Sequence, residues 1–267
     1  MSQADRPDSF GASHSAARIP LLMYHSIDAT GSVVSVSPRD FEEQMQCLAD
    51  QGFRGITLRE AVSRRSADGR WPARSVVLTF DDGYANVCDA LPVLQRQRFG
   101  ATVFVVSGHM GGANDWAPTP PGLGAQAILS PQQARDLAAA GIEIGAHTHR
   151  HCDLRQVSIR QAEEEIVRSR AALEGHIGLP VESFAYPFGS VTETALAVAQ
   201  REFRAACTTV LKRAANEAPH QLPRIDMYYI RSRRALERLL CGGLDWYLAV
   251  RRWGRAVRRV GGKFDGP

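Results

Sequence analysis

The chain has 267 residues, 44% hydrophobic and 22% charged, which is enough apolar material for one sizeable α/β domain. No apolar run reaches the eighteen or more residues of a membrane span, and residues 1–18 lack the apolar stretch of a secretory signal. The net charge of +4 hides a split: from Arg231 onward ten Arg and Lys face only Glu237, Asp245 and Asp265, so the tail carries +7 and the rest −3.

Residues 1–18, rich in Ser, Ala, Asp and Gly, read as a disordered leader. Ile19 to Tyr24 reads as a buried strand. Ser37 then caps a helix with Pro38 in its first position; Phe41, Met45 and Leu48 line one face before Gly52 ends it. Ser75 to Phe80 is a second strand, followed past an acid-glycine turn by a helix to about Arg98. Ala101 to Val106, rich in β-branched residues, is a third. The segment Gly111 to Gly124 holds too much Gly and Pro for regular structure and predicts a rim or lid. Ser130-Pro131 opens a helix closed by Gly141, and Ile142 to Gly145 is a fourth strand. Ser158 caps a long helix in which Ile159, Ile166 and Leu173 recur at sevens. Ser183 to Pro187 is a fifth strand, Thr192 opens a helix, Ala205 to Thr209 is a sixth strand and Leu222 to Tyr229 a seventh. Such alternation argues for a parallel sheet, open or closed into a barrel.

Four features fall at the carboxyl ends of these strands: His25, Asp81-Asp82, the run His147-Thr148-His149-Arg150-His151, and Tyr186-Pro187-Phe188-Gly189. In a (β/α) barrel that is the catalytic face. One carboxylate and two imidazoles make up the three protein ligands of a catalytic divalent metal, with a position left for water. A neighbouring acid supplies a base for that water, so the set points to metal-assisted hydrolysis. Side chains alternate along a strand, so Asp81 and Asp82 take separate tasks, one as ligand and one as base. For the histidines there are two geometries. One helical turn would put His147 and His151 on a common face; a continued strand would align His147, His149 and His151. Thr148 and Arg150 mark the strand's end, which favours the pair and leaves His149 a neighbour.

The Thr79-Phe80-Asp81-Asp82-Gly83 turn, the His147-Thr148-x-x-His151 pair and Tyr186-Pro187-Phe188-Gly189 resemble the polysaccharide deacetylases of carbohydrate esterase family 4, the NodB homology domain, over residues 19–230. The resemblance implies a distorted (β/α) barrel of about seven parallel strands that removes N-acetyl groups from an N-acetylhexosamine polysaccharide or lipid-linked glycan. It implies one divalent metal, Zn²⁺ or similar, on Asp82, His147 and His151, with Asp81 as general base. It also implies substrate contact at Tyr186 and Pro187 and an oxyanion donor in the Phe188 N–H; such a donor is typically worth on the order of 3 kcal/mol in the transition state.

Two departures stand out. The commonest third motif carries an arginine before Pro-Tyr, and here Phe184-Ala185 leaves none; Arg224, in Leu222-Pro223-Arg224, is the candidate to orient the base. The family's acid histidine normally lies late in the domain, yet His220 is the last histidine in the chain. Met23-Tyr24-His25-Ser26 resembles the branch acting on poly-β-1,6-N-acetylglucosamine, where the acid histidine comes first. That assigns His25 to protonate the leaving amine, a task an imidazole suits near neutral pH. A metal amidohydrolase or deformylase acting on another small amide would share these residues. A non-catalytic glycan-binding barrel would have no need of the full metal-and-base set.

Residues 231–267 read as a basic amphipathic extension. Trp246, Val250, Trp253, Val257 and Val260 fall on one stripe, with Arg251, Arg252, Arg255, Arg258 and Arg259 mostly around the other side. Tryptophan with arginine on such a helix suits an anionic membrane surface, here the inner leaflet; the alternative is a terminal helix packed on the barrel. No recognised nucleic-acid module accompanies the basic cluster, so nucleic acid is not an expected partner. The five scattered cysteines, Cys47, Cys88, Cys152, Cys207 and Cys241, suit reduced thiols and a cytoplasmic setting, with a packing role for Cys152.

Overall fold

The computed structural model describes residues 18–260, without the side chains of 255–260. The leader up to residue 17 and the side chains of Arg255, Val257, Arg258, Arg259 and Val260 therefore lie outside the described residues. In chain order the elements are β1 (Leu21–Tyr24), β2 (Ser26–Ile27), β3 (Ser35–Val36), α1 (Pro38–Asp50), β4 (Arg54–Ile56), α2 (Leu58–Asp68), β5 (Ser75–Phe80), α3 (Val87–Gln97) and β6 (Thr102–Val105). There follow α4 (Pro131–Ala139), β7 (Glu143–Ala146), α5 (Ile159–Ile177), β8 (Ser183–Ala185), α6 (Glu193–Glu202), β9 (Ala205–Leu211), β10 (Leu222–Asp226), α7 (Arg233–Leu240) and α8 (Asp245–Val260).

The helices start where hydroxyl side chains can satisfy the first free amides. Ser37, Ser130, Ser158 and Thr192 each accept a bond from the amide three residues on. Ser130 and Ser158 complete capping boxes with Gln133 and Gln161. The inner stripe of α5 is Ala162, Glu165, Ile166, Ser169, Leu173 and Ile177. Ile159, expected on that stripe, is 72% exposed, because the first residue of the helix precedes the turn that meets the barrel wall.

Closure falls to β1. It pairs in parallel with β5 from Leu21↔Val77 to Tyr24↔Phe80 and with β10 at Leu22↔Ile225. The strands β5 to β10 follow in sequence order, so seven parallel strands close into a barrel. The barrel is distorted at β5. There β4 pairs with Ser75 to Val77, and β6 takes over the pairing at Thr79 and Phe80. This eighth strand, only three residues long and including Gly55, lacks the length that marks a strand in sequence.

Alternation sorts the strand residues into two layers. Leu22, Tyr24, Val76, Leu78 and Phe80 belong to the outer core beneath the helices. Leu21, Val77, Phe104, Ala185, Cys207 and Leu222 form a separate apolar cluster that plugs the barrel. Thr79, Asp81 and Arg224 continue the inward positions above that plug, which is how the fold brings charge into the barrel's mouth. β7 shows the same logic: Glu143 accepts from Thr102 and Ser183 hydroxyls, Gly145 makes room for the Phe104 ring, and His147 follows at the mouth.

Candidate active site

The end of β5 is tied to the end of β1, since the Asp81 amide donates to the Tyr24 carbonyl at 2.9 Å. That bond sets His25, half-buried, beside the acid pair, close enough for its charge to be felt by both Asp81 and Asp82. Asp82 and Gly83 then take left-handed conformations, φ 68° and 74°. At Gly83 a side chain would strike Val105, with its Cβ 2.9 Å from Val105 Cγ1, so the turn requires glycine on both counts. The reversal sends the two carboxylates to different partners.

Asp81 meets Arg224. The guanidinium, wholly buried, donates to both Asp81 oxygens at 2.5 and 2.7 Å, to Thr79 Oγ1 at 3.2 Å and to the Thr208 carbonyl at 3.0 Å. An arginine absent before Pro187 in the sequence thus meets the acid in space, reaching from β10 past the intervening β1. Bidentate geometry of this kind fixes both the position and the plane of the carboxylate. Burial alone would raise the Asp81 pKa, but the charges of Arg224 and His147 outweigh it, so the group sits below the usual carboxylate range.

Asp82 meets the histidines. Its Oδ1 lies 3.4 Å from His147 Nε2 and 3.2 Å from His151 Nε2, and one ligand atom from each residue falls within 4.8 Å of the others. The pair is not brought together by a helical turn, as spacing suggested. Residues 147–151 form an irregular bend with Thr148 and His151 at φ 60° and 56°. Glu165 of α5, buried, holds that bend: its carboxylate accepts from the Arg150 amide and Nε, while its backbone carbonyl accepts from the His149 amide. His149 turns away, with Nδ1 2.9 Å from Ser107 Oγ, which excludes the three-histidine arrangement.

Burial would raise the Asp82 pKa, but His151 and His147 hold it well below the carboxylate range. Burial would lower His147, yet its bond to Asp82 and the charges of both acids raise it. For His151 burial prevails and its pKa falls. The His147 ring is further fixed because Nδ1 lies 2.8 Å from the Ala185 carbonyl, an acceptor that requires the proton on Nδ1.

Aromatic rings surround the bend. Phe188, at φ 58° in the turn after β8, packs its ring edge on His151 with centroids 4.9 Å apart. Trp116 lies 4.9 Å from His151 on another side and 6.5 Å from Tyr84. Trp116 comes from the Gly111–Gly124 segment, so that segment does reach the site, through one large ring. Nothing in the sequence singled out Trp116 or Glu165; a lone tryptophan in a Gly-Pro loop and one acid on a charged helix carry no motif. Tyr186 and Pro187 are buried, and the Tyr186 hydroxyl donates to the His220 carbonyl at 3.1 Å, so they shape the turn that presents Phe188.

The donor set fits a divalent cation. With Nδ1 of His147 committed to a carbonyl, Nε2 is the ring nitrogen left to face the Asp82 carboxylate, and His151 turns its own Nε2 there as well; unprotonated, both would offer lone pairs to a cation. Lone pairs converging in a buried space call for a positive centre among them. Asp/His/His is also the ligand chemistry of zinc and similar ions.

The family model described as polysaccharide deacetylase matches residues 68–203. The Bacillus subtilis protein YxkH is 30% identical over 186 residues, covering 69% of this chain and 62% of its own. A poly-beta-1,6-N-acetyl-D-glucosamine N-deacetylase of Staphylococcus aureus is 26% identical over 180 residues, covering 62% of this chain and 58% of its own. The chain thus spans about three fifths of the length of these relatives. Among solved structures, the Streptococcus pyogenes deacetylase PplD in complex with acetate superposes with TM-score 0.73 at 27% identity, over 85% of this chain and 99% of that one. IcaB from Ammonifex degensii gives TM-score 0.68 at 25% identity, over 84% and 96%.

Proposed function

We propose, on the premise that the chain belongs to the polysaccharide deacetylase family, that it hydrolyses the N-acetyl groups of a glycan built from N-acetylhexosamine. The observation that carries the reading is the division of labour between adjacent acids: Asp82 with the two histidines, Asp81 with Arg224. A pure binding barrel gains nothing from a buried, oriented and unligated carboxylate beside a ligand triad.

Asp82, His147 and His151 would hold the ion, and zinc suits them. Such an ion supplies Lewis acidity, polarising an acetyl carbonyl and acidifying water. Asp81, kept ionised and held in plane by Arg224, accepts the proton from the attacking water. His25, on the neighbouring strand end, returns a proton to the departing amine. The Phe188 N–H serves the developing oxyanion. Trp116 and Phe188 flank His151 and shield this space from bulk water.

The similarity to a poly-β-1,6-N-acetylglucosamine deacetylase and the early position of His25 favour a β-1,6-linked substrate. The test is acetate release from β-1,6- and β-1,4-linked N-acetylglucosamine oligomers, with the zinc-loaded protein beside Asp81→Asn. Release by the wild type alone, with equal zinc content in both proteins, is the expected result. Release from neither, with zinc bound, would reject the glycan reading. An Asp82→Ala protein that retains zinc and full turnover would reject the ligand assignment.

A further inference from the structure

We infer that the outward face of α8 is a docking face for an anionic lipid surface. The helix already has a packed side. Leu248 is buried, Leu244 and Tyr247 pack against the core, and the Arg251 guanidinium lies 5.4 Å from the Tyr229 ring centroid. Asp245, its only acid, is held by Arg213 at 2.6 Å and Arg18 at 2.8 Å. One side of the helix is therefore packed on the barrel, as one of the two sequence expectations had it.

Packing by that side leaves Trp246, Val250 and Trp253, spaced four and three residues apart, on the side facing solvent. They are 68%, 57% and 72% exposed. Three of the six exposed large hydrophobic residues among those described thus lie on one helical stripe. Indole rings partition to the boundary between headgroups and acyl chains, where an apolar body and an N–H are both satisfied. Arg251 and Arg252 are exposed as well, around the other side of the helix from the stripe, and the segment from Arg231 onward carries +7.

The charge selects the partner. With Asp245 neutralised by its own salt bridges, no acid on α8 opposes an anionic surface, and each arginine near such a surface adds attraction. Nucleic acid would use the arginines but leaves Trp246, Val250 and Trp253 without a partner. Among the described residues no helix is long and apolar enough to cross a membrane, so the contact is peripheral.

The experiment is co-sedimentation of the full chain with vesicles of phosphatidylethanolamine and phosphatidylglycerol, beside vesicles of phosphatidylcholine. Wild type should pellet with the anionic vesicles, and W246S/W253S should lose about tenfold or more of its partition coefficient. Arg252→Glu should weaken binding to the anionic vesicles alone. Turnover of soluble oligomers should be unchanged in W246S/W253S, which shows that the fold survives. Equal partitioning of wild type and W246S/W253S would overturn the proposal. So would a wild-type dimer, seen by sedimentation velocity, that W246S/W253S dissolves without any vesicle binding.

Discussion

At the scale of single residues, the Asp81–Arg224 pair decides most. Both groups are buried in the barrel's mouth, where an unpaired charge is costly. Arg224→Met should destabilise the fold by about 3–5 kcal/mol, because it strands the Asp81 carboxylate. Adding Asp81→Asn should recover part of that loss, with a coupling of about 0.5–3 kcal/mol in a double-mutant cycle read by urea unfolding. Additive losses would mean that the two side chains do not act as a pair. The sequence made both residues visible, but in different ways. Asp81 announced itself through a motif. Arg224 was found as the replacement for an arginine missing next to Pro187, and only closure of the barrel puts it opposite the acid.

At the scale of elements, what could be read was local. Capping serines and strand runs are decided by neighbours in sequence, and they fell where expected. The histidine bend was not readable that way, because residues far along the chain impose its left-handed turns. Glu165 of α5 and the loop after β6 hold it, with Ser107 and Gly108 amides donating to the Thr148 and His149 carbonyls. Glu165→Ala should therefore weaken metal affinity about 10–100-fold while leaving far-ultraviolet circular dichroism intact. Competition with a chromogenic chelator would measure it, and undiminished affinity would show that the bend holds its shape unaided. In β7 the constraint is steric. A Cβ on Gly145 would lie 2.5 Å from Phe104 Cδ1 and 3.0 Å from the Ser183 carbonyl. Gly145→Ala should cost about 1–3 kcal/mol by overpacking, and Phe104→Leu in the same chain should relieve part of it.

At the scale of the whole molecule, the site and the stability of the barrel are one problem. His147, His151 and Asp82 come from two strand ends, and their lone pairs converge in a space closed off from water. Folding without a cation brings those donors together at a cost; folding with one draws on the binding free energy. An ion that binds only the folded chain stabilises it by about 2.7 kcal/mol at a hundred times its Kd. A domain of this size shifts in Tm by about 2–4 °C per kcal/mol. Zinc-loaded protein should therefore melt roughly 5–10 °C above the same protein in excess chelator, by scanning calorimetry. Asp82→Ala should melt at one temperature in both conditions, because its remaining imidazoles no longer close a three-ligand site. Asp81→Asn should keep the zinc-dependent shift, since Asp81 faces Arg224 and not the histidines. If zinc raises the melting point of Asp82→Ala as far as that of the wild type, the ion is held elsewhere, and the coupling of barrel closure to this triad fails with it.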